Sequence, residues 1–132
     1  MIIEHIGIAV KSLEEAVRHY EHALGLTAGN FEQIDEQGVR VAMLPIGESR
    51  IELLEPTVDD SPIARFLRKR GEGLHHIAVR VDNIEASLER MKRAGAQLID
   101  ASPQRGAHNT RIAFVHPSSM NGVLLELVEH EH

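Results

Sequence analysis

Cysteine is absent from the 132 residues. That excludes a disulfide framework, a thiolate nucleophile and a cysteine-ligated zinc site. Tryptophan is absent too, and the aromatic set is one tyrosine and three phenylalanines, too few for a base-stacking nucleic-acid platform. Positive charge is scarce: 14 Lys and Arg face 20 Asp and Glu, for a net charge of −6. Phosphate backbones select the opposite balance, so no nucleic-acid partner is expected. No apolar run approaches the roughly 18 residues that span a bilayer. The start, Met1-Ile2-Ile3-Glu4-His5, lacks the basic segment and apolar core of a signal peptide. The expectation is a cytoplasmic protein without membrane contact, or an organelle-matrix protein after loss of a transit peptide. With 42% apolar and 26% charged residues, the chain is long enough to bury one core as a single domain, residues 1–132.

What the chain has in excess is histidine, nine in all, and their positions follow an internal repeat. Ile3-Glu4-His5-Ile6-Gly7-Ile8-Ala9-Val10 matches Leu74-His75-His76-Ile77-Ala78-Val79-Arg80-Val81, with His5 on His76 at an offset of 71. Each run leads into a helical pattern. Ser12-Leu13-Glu14-Glu15 reads as a capping box, followed by Leu13, Ala16, Val17, Tyr20 and Leu24 on one face. Asp82-Asn83 opens the second helix, with Ile84, Ser87, Leu88 and Met91 on the matching face. Gly25 and Gly95 stand where the helices stop. Arg40-Val41-Ala42-Met43 then falls on Arg111-Ile112-Ala113-Phe114. Arg50-Ile51-Glu52-Leu53-Leu54-Glu55 resembles Leu124-Leu125-Glu126-Leu127-Val128-Glu129 at an offset of 74. Gly38 and Gly47 punctuate the first strands, and Asn121-Gly122 reads as a hairpin turn.

The pattern predicts an α+β fold of two tandem βαβββ modules, residues 1–56 and 74–132. Their strands form a curved, mostly antiparallel sheet with helices outside and a concave metal site inside. A linker helix is expected at about residues 60–72. Ser61 precedes Pro62 at its start, Ile63, Phe66 and Leu67 supply its packing face, and the charged, Gly-rich stretch from Arg68 to Gly73 closes the connection.

Strand alternation sorts the side chains. Ile6, Ile8 and Val10 share one face of the first strand, and His5, Gly7 and Ala9 the other. Ile77, Val79 and Val81 oppose His76, Ala78 and Arg80 in the equivalent strand. The branched residues belong on the helices, which turns His5 and His76 inward beside small residues that leave room for a ligand. His75 faces the other way and reads as structural. Glu52 and Glu126 sit inside apolar runs, where a carboxylate is costly unless paired, protonated or bound to metal. Each half therefore offers one His and one Glu. His5, Glu52, His76 and Glu126 together suit an octahedral divalent ion with two positions left open. Of the other histidines, His19 and His22 read as exposed or supporting, His116 as structural, His108 as a loop residue bordering the substrate, and His130 and His132 as a frayed tail.

These residues resemble the vicinal-oxygen-chelate superfamily, which includes glyoxalase I, extradiol dioxygenases, bleomycin-resistance proteins and the methylmalonyl-CoA epimerases. The local motifs are most similar to the epimerases: Glu36-Gln37-Gly38-Val39, Asp60-Ser61-Pro62-Ile63-Ala64 with Phe66-Leu67, Gly73-Leu74-His75-His76-Ile77-Ala78, Phe114-Val115-His116-Pro117, and Asn121-Gly122-Val123-Leu124-Leu125-Glu126-Leu127. The resemblance implies metal ligands at His5, Glu52, His76 and Glu126, with Co2+ the suggested ion and Ni2+, Mn2+, Zn2+ or Mg2+ its alternatives. Some epimerases carry Gln where this chain has Glu52, so this site is one negative charge richer. The resemblance also implies Glu36 as catalytic base and an acyl-CoA substrate, with methylmalonyl-CoA epimerised at its α-carbon through a metal-stabilised enolate. Inversion needs a group on each face of that carbon, and Glu126 is the candidate for the second. Arg40, Arg105 and Arg111 are available for the CoA phosphates, with nothing to choose among them. A homodimer is expected because short sheet edges need cover. Two alternatives remain: a glyoxalase I-like isomerase acting on a glutathione hemithioacetal, and a binding module of the bleomycin-resistance type without catalysis.

Overall fold

The computed structural model describes residues 1–131. The eight strands and three helices are β1 (Ile2–Ala9), α1 (Leu13–Leu24), β2 (Phe31–Ile34), β3 (Val39–Ile46), β4 (Ser49–Pro56), α2 (Pro62–Arg70), β5 (Gly73–Arg80), α3 (Ile84–Arg93), β6 (Gln104–Arg105), β7 (Thr110–Val115) and β8 (Leu125–His130). They divide into two compact units, one of residues 5–75 and the other of residues 1–4 with those from His76 onward.

In the first unit the strands lie in the order β2-β3-β4-β1. The β2–β3 and β3–β4 pairs are antiparallel and the β4–β1 pair is parallel. The second unit repeats this as β6-β7-β8-β5, again with its last pair parallel. The expected βαβββ repeat is thus the observed one, and each unit is mostly antiparallel.

Each helix packs on its own strands through matched residues. Val10, Leu13, Val17, Ala42 and Leu53 form a buried cluster with Ile8 and Tyr20 against it. Val81, Ile84, Leu88, Ala113 and Leu127 do the same in the second unit, with Val79 and Met91. Burying each such side chain contributes about 1.5–3 kcal/mol. Two residues assigned to helix-facing surfaces are exposed instead: Ile6 at 37% and Leu24 at 55%. Of the residues on this face of the first strand, Ile8 and Val10 join the α1 cluster and Ile6 does not, so Ile6 lies short of the helix footprint. Leu24 is the last residue before the left-handed Gly25 cap (φ 68°), beyond the final turn that touches the sheet.

The helix starts are tied down by strand-end carboxylates. Ser12 accepts from the Glu15 N–H at 3.3 Å, and Asn83 from the Ala86 N–H at 3.0 Å, as N-caps do. Beyond this, Glu55 accepts from the Leu13 N–H at 3.1 Å and from Arg40 at 3.0 Å, while Arg40 also reaches Glu14 at 2.8 Å. In the second unit Glu129 accepts from the Ile84 N–H at 2.9 Å and from Arg111 at 2.7 Å, and Arg111 forks onto Glu85 at 2.6 and 2.8 Å. A carboxylate at a helix N-terminus satisfies an otherwise orphaned donor and meets the positive end of the dipole.

Two further readings differ from expectation, the Asn121-Gly122 hairpin and the frayed tail at His130. Asn121 (φ 57°) and Gly122 (φ 89°) do make a left-handed turn, but not a two-residue hairpin. A 3-10 turn at Pro117–Ser119 precedes them, so β7 and β8 are joined by a longer loop. α2, Pro62–Arg70, falls within the expected linker helix of about residues 60–72, with the cations of Arg68–Arg70 at its favourable C-terminal end. His130 is not part of a frayed tail. It lies in β8 with Nε2 2.8 Å from Glu4 Oε2. His132 lies outside the described residues.

Arg111, and after it the Ile84 N–H, hold the Glu129 carboxyl below the ordinary carboxylate range. A depressed folded-state value gives stability that is present above the unfolded range and lost as pH falls through the folded value. Glu129→Gln is therefore expected to lose about 1–2 kcal/mol at neutral pH. Urea melts across pH should show the gap to the parent chain closing on acidification; a gap constant with pH would show that the ion pair contributes nothing.

Candidate functional site

The strand register explains how each unit assembles its His–Glu pair. β1 and β4 run parallel with Gly7 beside Glu52. β5 and β8 run parallel with Ala78 beside Glu126. The histidine two residues earlier in the strand shares the face of that small residue, so it meets the carboxylate diagonally. His5 Nε2 lies 3.6 Å from Glu52, and His76 Nε2 lies 2.9 Å from Glu126. All four residues are buried. On the outer side of each carboxylate the next strand presents a large apolar residue, Met43 beside Glu52 and Phe114 beside Glu126. The Phe114 ring meets the His76 ring edge-on at 5.7 Å. Ionisable groups walled by apolar side chains carry a desolvation cost, which a bound cation would offset. Buried imidazole nitrogen and carboxylate oxygen side by side is a donor set that divalent transition ions accept.

Glu36 is exposed on the 3-10 turn Asp35–Gln37 between β2 and β3. Gly38 closes that turn at φ 65°. A Cβ at Gly38 would sit 2.8 Å from Val58 Cγ2 and 2.9 Å from Ser61 Cβ. The Gly38 carbonyl also accepts from the Thr57 N–H at 2.8 Å. The turn is thus pressed onto the start of α2, where Ser61 caps the Ala64 N–H at 3.1 Å.

The arginines suggested for CoA divide sharply. Arg40 and Arg111 are committed to the helix ties described above. Arg105 is exposed on the short edge strand β6. His75 is structural as expected, its ring packed edge-on against Phe66 at 5.0 Å. His116 caps its 3-10 turn, with Nδ1 accepting from the Ser118 N–H at 3.0 Å. His108 sits in a left-handed loop position, φ 55°.

Sequence reasoning missed Glu4, which is 2% exposed and takes Arg80 Nε and Nη2 at 3.0 and 2.8 Å in addition to His130. Its partners lie 76 and 126 residues away, and the repeat offers no counterpart, since the matching residue is His75. The only available signal was a carboxylate inside an apolar strand.

The family model for the glyoxalase/bleomycin resistance protein/dioxygenase superfamily matches residues 4–114. An ethylmalonyl-CoA/methylmalonyl-CoA epimerase from Cereibacter sphaeroides is 39% identical over 95% of this chain and 95% of its own. The chain belongs to the methylmalonyl-CoA epimerase family of that superfamily. It is an enzyme of the isomerase class. A solved Streptomyces coelicolor methylmalonyl-CoA epimerase variant, in complex with 2-nitronate-propionyl-CoA, superposes with TM-score 0.96 at 40% identity, covering 98% of this chain and 94% of that one. The uncharacterized Bacillus subtilis protein YqjC is 44% identical over 96% of this chain and 91% of its own. The α+β fold expected from the repeat is that of the family. Among the described residues no helix is long and apolar enough to cross a membrane.

Gly38→Ala combines a left-handed backbone with contacts that a methyl group cannot make without movement. It is expected to cost about 1–3 kcal/mol, measured by thermal melting. A melting temperature equal to the parent's would show that the turn does not need its close approach to α2.

Proposed function

We propose that the chain interconverts the two stereoisomers of methylmalonyl-CoA by moving the proton on the α-carbon. One observation carries this reading: a buried His–Glu pair recurs at equivalent places in both units of a chain similar over nearly its whole length to an epimerase holding 2-nitronate-propionyl-CoA. A nitronate is planar and anionic, as an α-carbon is once its proton has gone.

His5, Glu52, His76 and Glu126 would hold the divalent cation, and cobalt(II) is the ion we propose. When bound, it supplies a Lewis acid that offsets negative charge developing on the thioester oxygen, an effect worth several kcal/mol. The remaining chemistry belongs to side chains. Glu36 takes the α-proton; the C–H electron pair becomes the second bond between the α-carbon and the thioester carbon, and the carbonyl π pair moves onto oxygen. Returning a proton to the opposite face inverts the centre, and Glu126, loosened from the ligand set and protonated, is the proposed donor. Apolar walls at Met43 and Phe114 keep water from competing for the carboxylates. The substrate class is a malonyl-CoA with a short α-alkyl group. One further methylene changes discrimination by only about 1–3 kcal/mol, so ethylmalonyl-CoA falls within it. We propose a homodimer, with β2 and β6 as the outermost strands of their units and hence the edges that need cover.

The test uses cobalt-loaded protein, one stereoisomer of methylmalonyl-CoA and deuterated water, following optical purity and α-deuterium together. Both should change in the loaded enzyme, and Glu36→Gln should slow both by about 10²–10⁴-fold. Epimerisation that survives this substitution removes Glu36 as base. No exchange by folded, loaded protein defeats the reading and makes the methylglyoxal–glutathione adduct the next substrate to try. Glu126→Gln retains a group able to hydrogen-bond His76 but removes a charge. Calorimetric titration with cobalt(II) should show affinity reduced by roughly tenfold or more. Equal affinity would remove Glu126 from the ligand set.

A further inference from the structure

We infer that Asp100, on the segment between α3 and β6, is a positioning residue: its carboxylate fixes Phe114, and the Phe114 ring sets the direction in which the His76 imidazole points. The consequence for metal binding rests on the reading of His76 and Glu126 as ligands, given above.

Phe114 touches both members of the second unit's His–Glu pair. In β7 it pairs with Glu126 of β8, and its ring meets the His76 ring at 5.7 Å and 89°. It also packs against Ala78, Ile112 and Val128. Its main-chain groups turn the other way. The Phe114 N–H donates to Asp100 Oδ2 at 2.8 Å, and the Phe114 carbonyl accepts from the N–H groups of Ile99 and Asp100 at 2.9 and 3.2 Å. Both polar groups of Phe114 are thus used away from β8, which makes Phe114 and Glu126 a non-hydrogen-bonded pair. Such pairs bring their Cα atoms to about 4.5 Å and their side chains closer together. Asp100 therefore grips β7 at the residue directly opposite the carboxylate that lies 2.9 Å from His76.

The repeat shows what Asp100 replaces. Met43, beside Glu52, is the counterpart of Phe114. Its carbonyl accepts from the Gly29 N–H at 2.8 Å, and its N–H donates to the Asn30 carbonyl at 3.3 Å. Where the first unit uses a main-chain carbonyl, the second uses a charged side chain at shorter distance. A carboxylate is the stronger acceptor for an N–H. Asp100 is itself anchored. Gln104 Nε2 donates to the same oxygen at 3.1 Å, and a bridge between Leu98 and Val115 holds the segment against β7.

An imidazole ring turns about a broad torsion, whereas a ring nitrogen must be aimed within narrow limits to bind a cation. An aromatic neighbour with a preferred edge-on geometry selects one orientation. Asp100 stands behind that neighbour. Groups that never touch the ion still tune its affinity when they fix the direction of a ligand.

The test titrates cobalt(II) by calorimetry into the parent, Asp100→Ala, Asp100→Asn, Phe114→Leu and the Asp100→Ala/Phe114→Leu double variant. Asp100→Ala should bind cobalt about tenfold more weakly. Asp100→Asn keeps an oxygen that accepts the Phe114 N–H and should stay within about twofold of the parent. Phe114→Leu should lose at least as much as Asp100→Ala, and the double variant no more than Phe114→Leu alone, because the two residues act along one line. Losses that multiply in the double variant, or an Asp100→Ala affinity within about twofold of the parent, overturn the inference. Asp100→Ser, too short to reach the Phe114 N–H, takes the place of an alanine variant that does not fold, with the same outcomes. The metal-free proteins give a second readout. The carbon-bound ring protons of His76, assigned by their loss in His76→Gln, should shift in the NMR spectra of Asp100→Ala and Phe114→Leu and keep their parent positions in Asp100→Asn. Unmoved His76 signals in Asp100→Ala overturn the inference as well. A parent that binds no cobalt defeats the ligand reading, while the His76 signals still decide whether Asp100 orients that ring.

Discussion

Glu55 and Glu129 each join three parts of their unit. One oxygen of each meets the first backbone N–H of a helix, the other meets an arginine on the neighbouring strand, and that arginine grips a glutamate in the helix's first turn. The tie sets where α1 and α3 begin against the sheet. It also anchors β4 and β8 three residues from Glu52 and Glu126, at the strand end that would otherwise be free to slip. A one-residue slip would turn both carboxylates to the opposite face. The charge pairs are partly exposed, so each is worth little alone. Their effect comes from linking a helix dipole, a strand and a side-chain fork at one point.

Within that frame the two buried His–Glu pairs are a local cost. Leucine at Glu52 or Glu126 would suit the surrounding apolar strands better, and removing a buried polar pair is often neutral or stabilising. The pairs are intelligible as a site whose cost is recovered when a cation and substrate bind. The small residues Gly7 and Ala78 beside them serve the same end, keeping space next to the carboxylates where a larger side chain would close it.

The candidate ligands were legible because the repeat writes them twice. His5 with His76 and Glu52 with Glu126 keep the same parity in the same kind of strand, and within each unit the structure sets the histidine beside its glutamate. Helix starts at Ser12 and Asn83, the Pro62 start of α2 and the packing role of His75 were readable for a related reason, since each depends on neighbours within a few residues. The fates of Arg40 and Arg111 were not readable. Both were visible as a repeat-matched pair, but an arginine beside a substrate and one clamped by two glutamates have the same local sequence. Glu4 was missed because its partners, Arg80 and His130, lie far along the chain and obey no repeat.

The amino-acid sequence by itself determined the element order, the duplication and the faces on which histidine and glutamate stand. Periodicity, capping and strand parity are properties of neighbouring residues, and they survive without knowledge of the folded chain. Only the tertiary structure decided which charges are spent and which are available. Arg111 tied to Glu85 and Glu129, and Arg80 held by Glu4, are outcomes of long-range proximity. Coulombic and hydrogen-bonded pairing depends on distances of a few ångström, which the order of residues along a strand or helix does not specify.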